Sequence, residues 1–382
     1  MSAPKAVSLS PEALREQILI SLRDQGFIVG HDGLIQPGAW DKVAIRQLHY
    51  QALQSRIERA REGLERHESR LLGYIAEGDD VQPDKISPVL REVEPDSEDE
   101  LLFRYARLHW SVPISAGYGR RLRFLIFDRH NEKLIGLFGL GDPVFGVGPR
   151  DRWVAWTRAT RKERLRYVMD AFVIGAVPPY SYLLCGKLVA MLLASEEVRE
   201  AFRRKYSKGS SLISGRQLDG RLALITTASA LGRSSIYNRL KFRERQLYLS
   251  VGFTRGSGEF HFSNGVYEDM IAFARATKQP SAKNELWGVG WRNRREVVRS
   301  ALPNLGLSRE LLYHGVRREL FVVPLARNTR EFLRGEHVRL RSYRNHTDEL
   351  VAWFRDRWLL PRAARDGRYR LFARASYGLW QR

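Results

Sequence analysis

The sequence predicts an α/β protein: a mixed-sheet core flanked by a helical N-terminal region and a basic C-terminal region. Three observations carry that reading. Between Leu101 and Phe273, apolar runs bounded by turn residues alternate with amphipathic stretches, so strands and helices follow one another. Ahead of them, residues 1–76 repeat apolar positions at helical spacing. Behind them, residues 291–382 hold 21 Arg against 9 acids, with Trp, Tyr and Phe in between. With 382 residues, 43% of them hydrophobic, the chain can bury one large core with smaller satellites.

Ser10 is placed to cap a helix with Pro11 at its first position, and Leu14, Ile18 and Leu22 follow on one face until Gly26 ends it. Asp41 can cap a second helix running to about Leu72, striped by Leu53, Ile57, Ala60, Leu64 and Leu71. These helices either pack on the main domain or form a docking head. Residues 77–100 hold ten acids against Lys85 and Arg91, with prolines at 83, 88 and 95; they read as an acidic linker, a solvated spacer or a mimic of nucleic acid. The α/β core, 101–290, has strand candidates at Leu122–Phe127, Leu134–Leu140, Met169–Ile174, Leu222–Thr227 and Gln246–Phe253. Helix candidates between them are Arg161–Tyr167, Tyr182–Ala194, Glu196–Tyr206 and Ser234–Phe242. Residues 291–382 form the basic region, where Trp353, Trp358, Phe372, Tyr377 and Trp380 alternate with arginines. Phosphate contact plus base stacking asks for that mixture, and so does an amphipathic helix with its aromatics turned inward.

Charge narrows the partner. A formal +21 and a pI near 10.3 favour polyanions, of which nucleic acid is the commonest; an acidic protein surface is the other reading. Codon bias accounts for 53 Arg beside 11 Lys, but not for the excess of bases over acids. The single Cys185 excludes an intramolecular disulfide and any multi-cysteine zinc site, which fits a reducing cytoplasm, the expected location. Residues 1–10 lack the apolar core of a secretory signal. The apolar stretch 168–195 is divided by Asp170, Pro178, Pro179 and Lys187, so it reads as a buried strand, turn and helix, and no membrane partner is expected.

Several chemistries are absent as motifs. No lysine has an acid two residues before it, as restriction-type nucleases require. No Gly-x-x-x-x-Gly-Lys-Ser/Thr loop exists, and no Gly-x-Ser-x-Gly elbow. The metal pair of single-strand nucleases survives only as Glu259-Phe260-His261, with Tyr267 downstream as a candidate nucleophile; a core histidine is the alternative.

From Tyr167 onward, the order of a strand, Pro178-Pro179, a helix containing Gly186, a strand, a turn with Tyr237 and a strand ending in Gly252-Phe253 resembles the acetyltransferase superfamily. That resemblance implies a GNAT-like mixed sheet, with pyrophosphate cradled by the helix after the fourth strand. The family's Arg/Gln-x-x-Gly-x-Gly/Ala loop is missing from Pro179 to Gly186. No cofactor is therefore expected, and acyl-coenzyme A and a divalent metal stay open. Longer phrases carry a second resemblance: Trp110-Ser111-Val112-Pro113, Gly141-Asp142-Pro143-Val144-Phe145, Met169-Asp170-Ala171-Phe172, and above all the run from Thr226 to Leu240. Over residues 10 to 280 the chain resembles the family of A-type subunits of the Druantia anti-phage system. The resemblance implies bacterial antiviral defence in a multi-subunit complex that includes a helicase-like protein. Relatives near transposase-like proteins add to the expectation of DNA contact.

Read physically, these phrases nominate residues. Leu231-Gly232-Arg233-Ser234-Ser235 is a turn into a helix start, able to bind an anion through Arg233, Ser234, Ser235 and free amides, or simply to cap the helix. Asn238 and Arg239 lie one turn on. Arg120, Arg121 and Arg123 enter a strand, with Arg121 and Arg123 on one face. Arg150, Arg152 and Lys187 complete the nucleic-acid-binding candidates. Catalytic candidates are Asp142, Asp170, Tyr237 and His261, the two acids serving as base or metal ligand unless they pair with an arginine. Three functions remain in play: a DNA-binding subunit, an enzyme acting on nucleic acid (a transferase on a base, or a metal-dependent nuclease), and a scaffold for acidic partners.

Overall fold

Ser10 and Asp41 open the first two helices as their side chains dictate. In the computed structural model, which describes residues 9–30, 33–112, 119–209, 215, 217–262, 265–277 and 294–380, Ser10 Oγ accepts the Ala13 amide and Asp41 Oδ1 accepts those of Val43 and Ala44. Pro113, which ends the first family phrase, lies outside the described residues. Helix α1 (Pro11–Asp24) buries Leu14, Ile18 and Leu22 and stops before Gly26, whose φ of 95° suits glycine. A hairpin of β1 (Phe27–Val29) and β2 (Ile35–Pro37), not foreseen in the helical N-terminal region, precedes α2 (Lys42–Leu64). The long second helix breaks at a 3₁₀ turn, Glu65–His67, before α3 (Glu68–Leu72).

Seven strands make the central sheet: β3 (Pro88–Glu92), β4 (Arg121–Asp128), β5 (Lys133–Gly141), β6 (Val168–Ala176), β7 (Leu224–Ala228), β10 (Leu249–Phe253) and β11 (Glu319–Pro324). A small hairpin, β8 (Lys241–Phe242) with β9 (Arg245–Gln246), lies between β7 and β10 in the chain. The spatial order is β10-β11-β7-β6-β5-β4-β3, antiparallel except for β6 and β7. That parallel ladder covers only Val168–Asp170 against Leu224–Thr226. Beyond it β6 continues to Ala176, paired with β5, while β7 pairs with β11.

Helices cover both faces of this mixed α/β fold. On one face, α7 (Cys185–Leu192), α8 (Glu196–Tyr206) and α12 (Thr347–Phe354) pack on Leu122, Phe124, Phe138, Phe321 and Val323. On the other, α4 (Glu98–Ala106) covers Leu125 and Leu137, while α5 (Gly148–Val154) and α11 (Thr329–Arg334) cover Val168, Leu224 and Val322. A satellite core joins α1 and β1 to α9 (Val266–Thr277) and α10 (Arg294–Asn304) through Leu14, Ile18, Phe27, Met270, Val298 and Leu302. The shorter helices are α6 (Arg158–Arg164) and α13 (Leu360–Arg365), and a π-helical turn, Arg355–Leu359, joins α12 to α13.

The cores cut across the stretches drawn from sequence. Residues 77–100 are no free linker: Pro88 to Glu92 is the edge strand β3, and Val81, Ile86 and Val93 are buried. The prolines are tolerated because Pro88 begins an edge strand, where a missing N–H breaks no ladder. Their acids meet bases, with Glu92 on Arg204, Glu98 on Arg70, Glu100 on Arg123 and Glu77 on Arg374. The basic region contributes β11 to the sheet interior. Among the described residues, no helix is long and apolar enough to cross a membrane.

Candidate nucleic-acid interface

Most of the strand-borne arginines are committed to the fold. The Arg120 guanidinium pairs with Asp142 at 2.6 Å, donates to the Arg166 and Val168 carbonyls, and lies over the Phe202 ring. Asp142 also accepts the Arg120 amide at 2.9 Å, so the pair ties the ends of β4 and β5 together. Arg123 pairs with Glu100. Arg121 is bracketed by the Tyr206 hydroxyl, which accepts its amide and donates to its carbonyl. Arg150 departs furthest from expectation: it is 1% exposed, pairs with Asp151 at 2.7 Å, and donates to the carbonyls of Val144 and Phe145. It is a structural clamp with no face left for a ligand. Arg152, on α5, is exposed but lies on the face of the sheet opposite α7. The half-buried Asp170 accepts the Thr226 hydroxyl at 2.6 Å; burial raises its carboxyl pKa, and the Thr226 bond and the charge of Arg150 pull it back.

The turn from Leu231 to Arg239 is organised by a residue that no motif or spacing singled out. Glu319 is 4% exposed and accepts the Ser234 amide at 3.3 Å, Asn238 Nδ2 at 3.2 Å and Ser250 Oγ at 2.8 Å. The expected helix Ser234–Phe242 is replaced by a single 3₁₀ turn, Tyr237–Arg239, running into β8. Ser234 Oγ caps that turn by accepting the Tyr237 amide. The anion at this turn is thus the protein's own carboxylate, while Arg233 and Ser235 are exposed on its outer side. Tyr237 stacks on Tyr248 at 4.7 Å, and burial raises its pKa.

His261 belongs to the satellite core. It is 1% exposed, and its Nε2 lies 2.7 Å from the Leu311 carbonyl. With His49 and His314 it surrounds Phe260, and burial depresses its pKa to about 4. Among the described residues, no group of three or more His, Cys, Asp or Glu side chains is placed to hold a metal ion.

Two of the nominated residues do converge, and with a third that was not nominated. Lys187, at the start of α7, lies close enough to Arg239 and Arg357 that, after burial, their charges lower its pKa. Its ammonium sits 5.1 Å over the Trp358 ring, and Arg357 lies over both Trp358 and Trp353. Trp353 donates to the carbonyl of exposed Lys241 and meets Phe242 edge-on at 5.9 Å. Arg243, over the Phe242 ring, extends the series. The result is a track of cations interleaved with aromatic rings: Lys187, Arg239, Arg357, Lys241 and Arg243. Among the described residues, the one salt bridge of these five cations is Arg243 to Glu349, at 3.3 Å. Like charges held together cost free energy unless a polyanion or counterions neutralise them. Helical spacing could not reveal the track, because positions 353 and 358 would lie about 140° apart on an α-helix. Across the π turn Arg357 lies near both indoles, 5.8 Å from Trp353 and 5.5 Å from Trp358.

The fold and this face define a basic α/β protein with a cationic, aromatic-lined surface. A family model described as Druantia protein DruA matches residues 40–335, and this chain belongs to that family. It is 37% identical over 367 residues to the Druantia protein DruA of Escherichia coli (strain UMEA 4076-1), covering 96% of this chain and 91% of that one. No solved structure matches. The match runs through β11, further than the phrases read from sequence.

Proposed function

We propose that the chain is the DNA-binding subunit of a Druantia anti-phage defence system, acting with the system's other subunits, including a helicase-like one. The observation that carries this is the track from Lys187 to Arg243, where clustered cations share their surface with Trp353 and Trp358. Cations meet phosphates, and guanidinium and indole planes stack on bases. The reading needs neither acyl-coenzyme A nor a divalent metal. A GNAT-like sheet is part of it, supported by α7 following the fourth strand of the sheet and by the early end of the β6–β7 ladder.

Titration of labelled duplex at several salt concentrations tests the proposal. The wild-type logarithm of affinity should fall with log salt by about 0.9 per phosphate contacted. K187Q/R239Q/R357Q should bind at least about tenfold more weakly, with a slope shallower by roughly 2–3. Binding that ignores salt, or a variant indistinguishable from wild type, would overturn it.

A further inference from the structure

Beside Arg243 the track opens into a cleft of about 850 Å³, lined by Arg243, Arg245, Arg327, Arg341, Arg344 and Tyr343. None of these was singled out by the sequence. Two carboxylates also line it, Glu244 and Glu331, the latter 3.9 Å from Arg334. The guanidinium groups of Arg327, Arg341 and Arg344 are exposed, and no carboxylate among the described residues pairs with them.

Hydrogen bonds brace the walls. Buried Asn328 donates to the Arg339 carbonyl and accepts the Arg341 amide, both at 2.8 Å, and the Arg327 amide donates to the Arg341 carbonyl at 2.9 Å. Buried Asn345 donates to the Ala194 carbonyl and accepts from Arg245 at 2.8 Å. Arg245 is thereby laid over the Tyr343 ring at 3.7 Å, and both residues line the cleft. A braced backbone and a pre-stacked cation favour phosphate and base recognition, because less ordering remains to be done on binding.

We infer that this cleft takes a single-stranded stretch of DNA. Arg327, Arg341 and Arg344 meet its phosphates, and the Arg245–Tyr343 stack offers a platform to a base. The volume lies in the upper part of the range for small-ligand pockets, roughly 300–1,000 Å³. A pocket on this scale holds a few nucleotides of one strand, whereas a duplex, a body broader than its own major groove of about 12 Å, is not enclosed by it. The inference rests on the DNA-binding reading and names the strand type that its site accepts where track and cleft meet at Arg243.

Fluorescence anisotropy with the full chain tests it, using a blunt duplex, the same duplex with a single-stranded tail, and the free tail. The tail should tighten wild-type binding by about tenfold, the scale of stacking one base. R327Q/R341Q/R344Q, altered only at exposed positions, should lose that gain and keep blunt-duplex affinity within about twofold. Its salt slope on tailed DNA should be shallower by about 2, at roughly 0.7 per single-strand phosphate. A tail that adds nothing in wild type, or a gain that survives the triple substitution, overturns the cleft inference alone. Failure of wild type to bind any of the three DNAs overturns the DNA-binding reading with it.

Discussion

Three donors converge on Glu319, which forms no salt bridge among the described residues, so the carboxylate holds the Ser234 turn by hydrogen bonds. Glu319→Ala should strand those donors and lower stability by about 1–3 kcal/mol, read as a shift in the urea midpoint. Glu319→Gln, which keeps one acceptor oxygen, should lose less. Arg150→Ala should cost about 3–5 kcal/mol, the range for breaking a buried pair, while the folded fraction keeps wild-type DNA affinity. Weakened binding with unchanged stability would return Arg150 to the interface. Single residues were legible where the rule is local: Ser10 and Asp41 cap helices through amides two or three positions away. Arg150 was not, because its carbonyl partners at 144 and 145 lie in a loop whose path only the tertiary fold sets.

Among elements, the satellite core carries a pH dependence. Burial holds His49 at about 3 and His261 at about 4, so both are neutral in the native protein at neutral pH. Their unfolded values lie near 6.5. Below that value the unfolded state binds more protons than the native state, so stability is complete above pH 6.5 and is lost as pH falls toward 4. Each histidine should contribute a slope approaching about 1.4 kcal/mol per pH unit below roughly pH 6. His261→Asn should flatten the profile, and denaturation curves unchanged from pH 7 to 5 would refute the assignment. Strands β4 to β7 were legible because apolar runs between turn residues survive any packing. Strand β3 was not, because its acids and prolines imitate a spacer until Arg204 and the edge position account for them.

Across the whole molecule, position matters more than the total of +21. Acids of the 77–100 stretch pair with Arg70, Arg123, Arg204 and Arg374, whereas among the described residues Arg243 alone of the track meets a carboxylate and Arg327, Arg341 and Arg344 of the cleft meet none. Substituting three exposed arginines of α1 and α2, as R15Q/R23Q/R46Q, removes as much charge as K187Q/R239Q/R357Q. Only the second set should weaken DNA binding, and equal losses would mean that a diffuse field, not a track, attracts the polyanion. Composition pointed to a polyanion, but where such a partner would sit required the fold. Lys187, Lys241, Arg327 and Arg357 come from four separate parts of the chain, and no spacing rule links them.

The π turn at Arg355–Leu359 has a genetic corollary. Such a turn, closed by i→i+5 bonds, holds one residue more than an α turn, so one codon can be removed from it without breaking the helix. Excising Asp356 should let α12 run straight into α13, leaving later contacts such as buried Tyr369 in phase. The shortened chain should melt near the parent temperature and yet lose its grip on DNA, since Arg357 and Trp358 would turn away from Lys187.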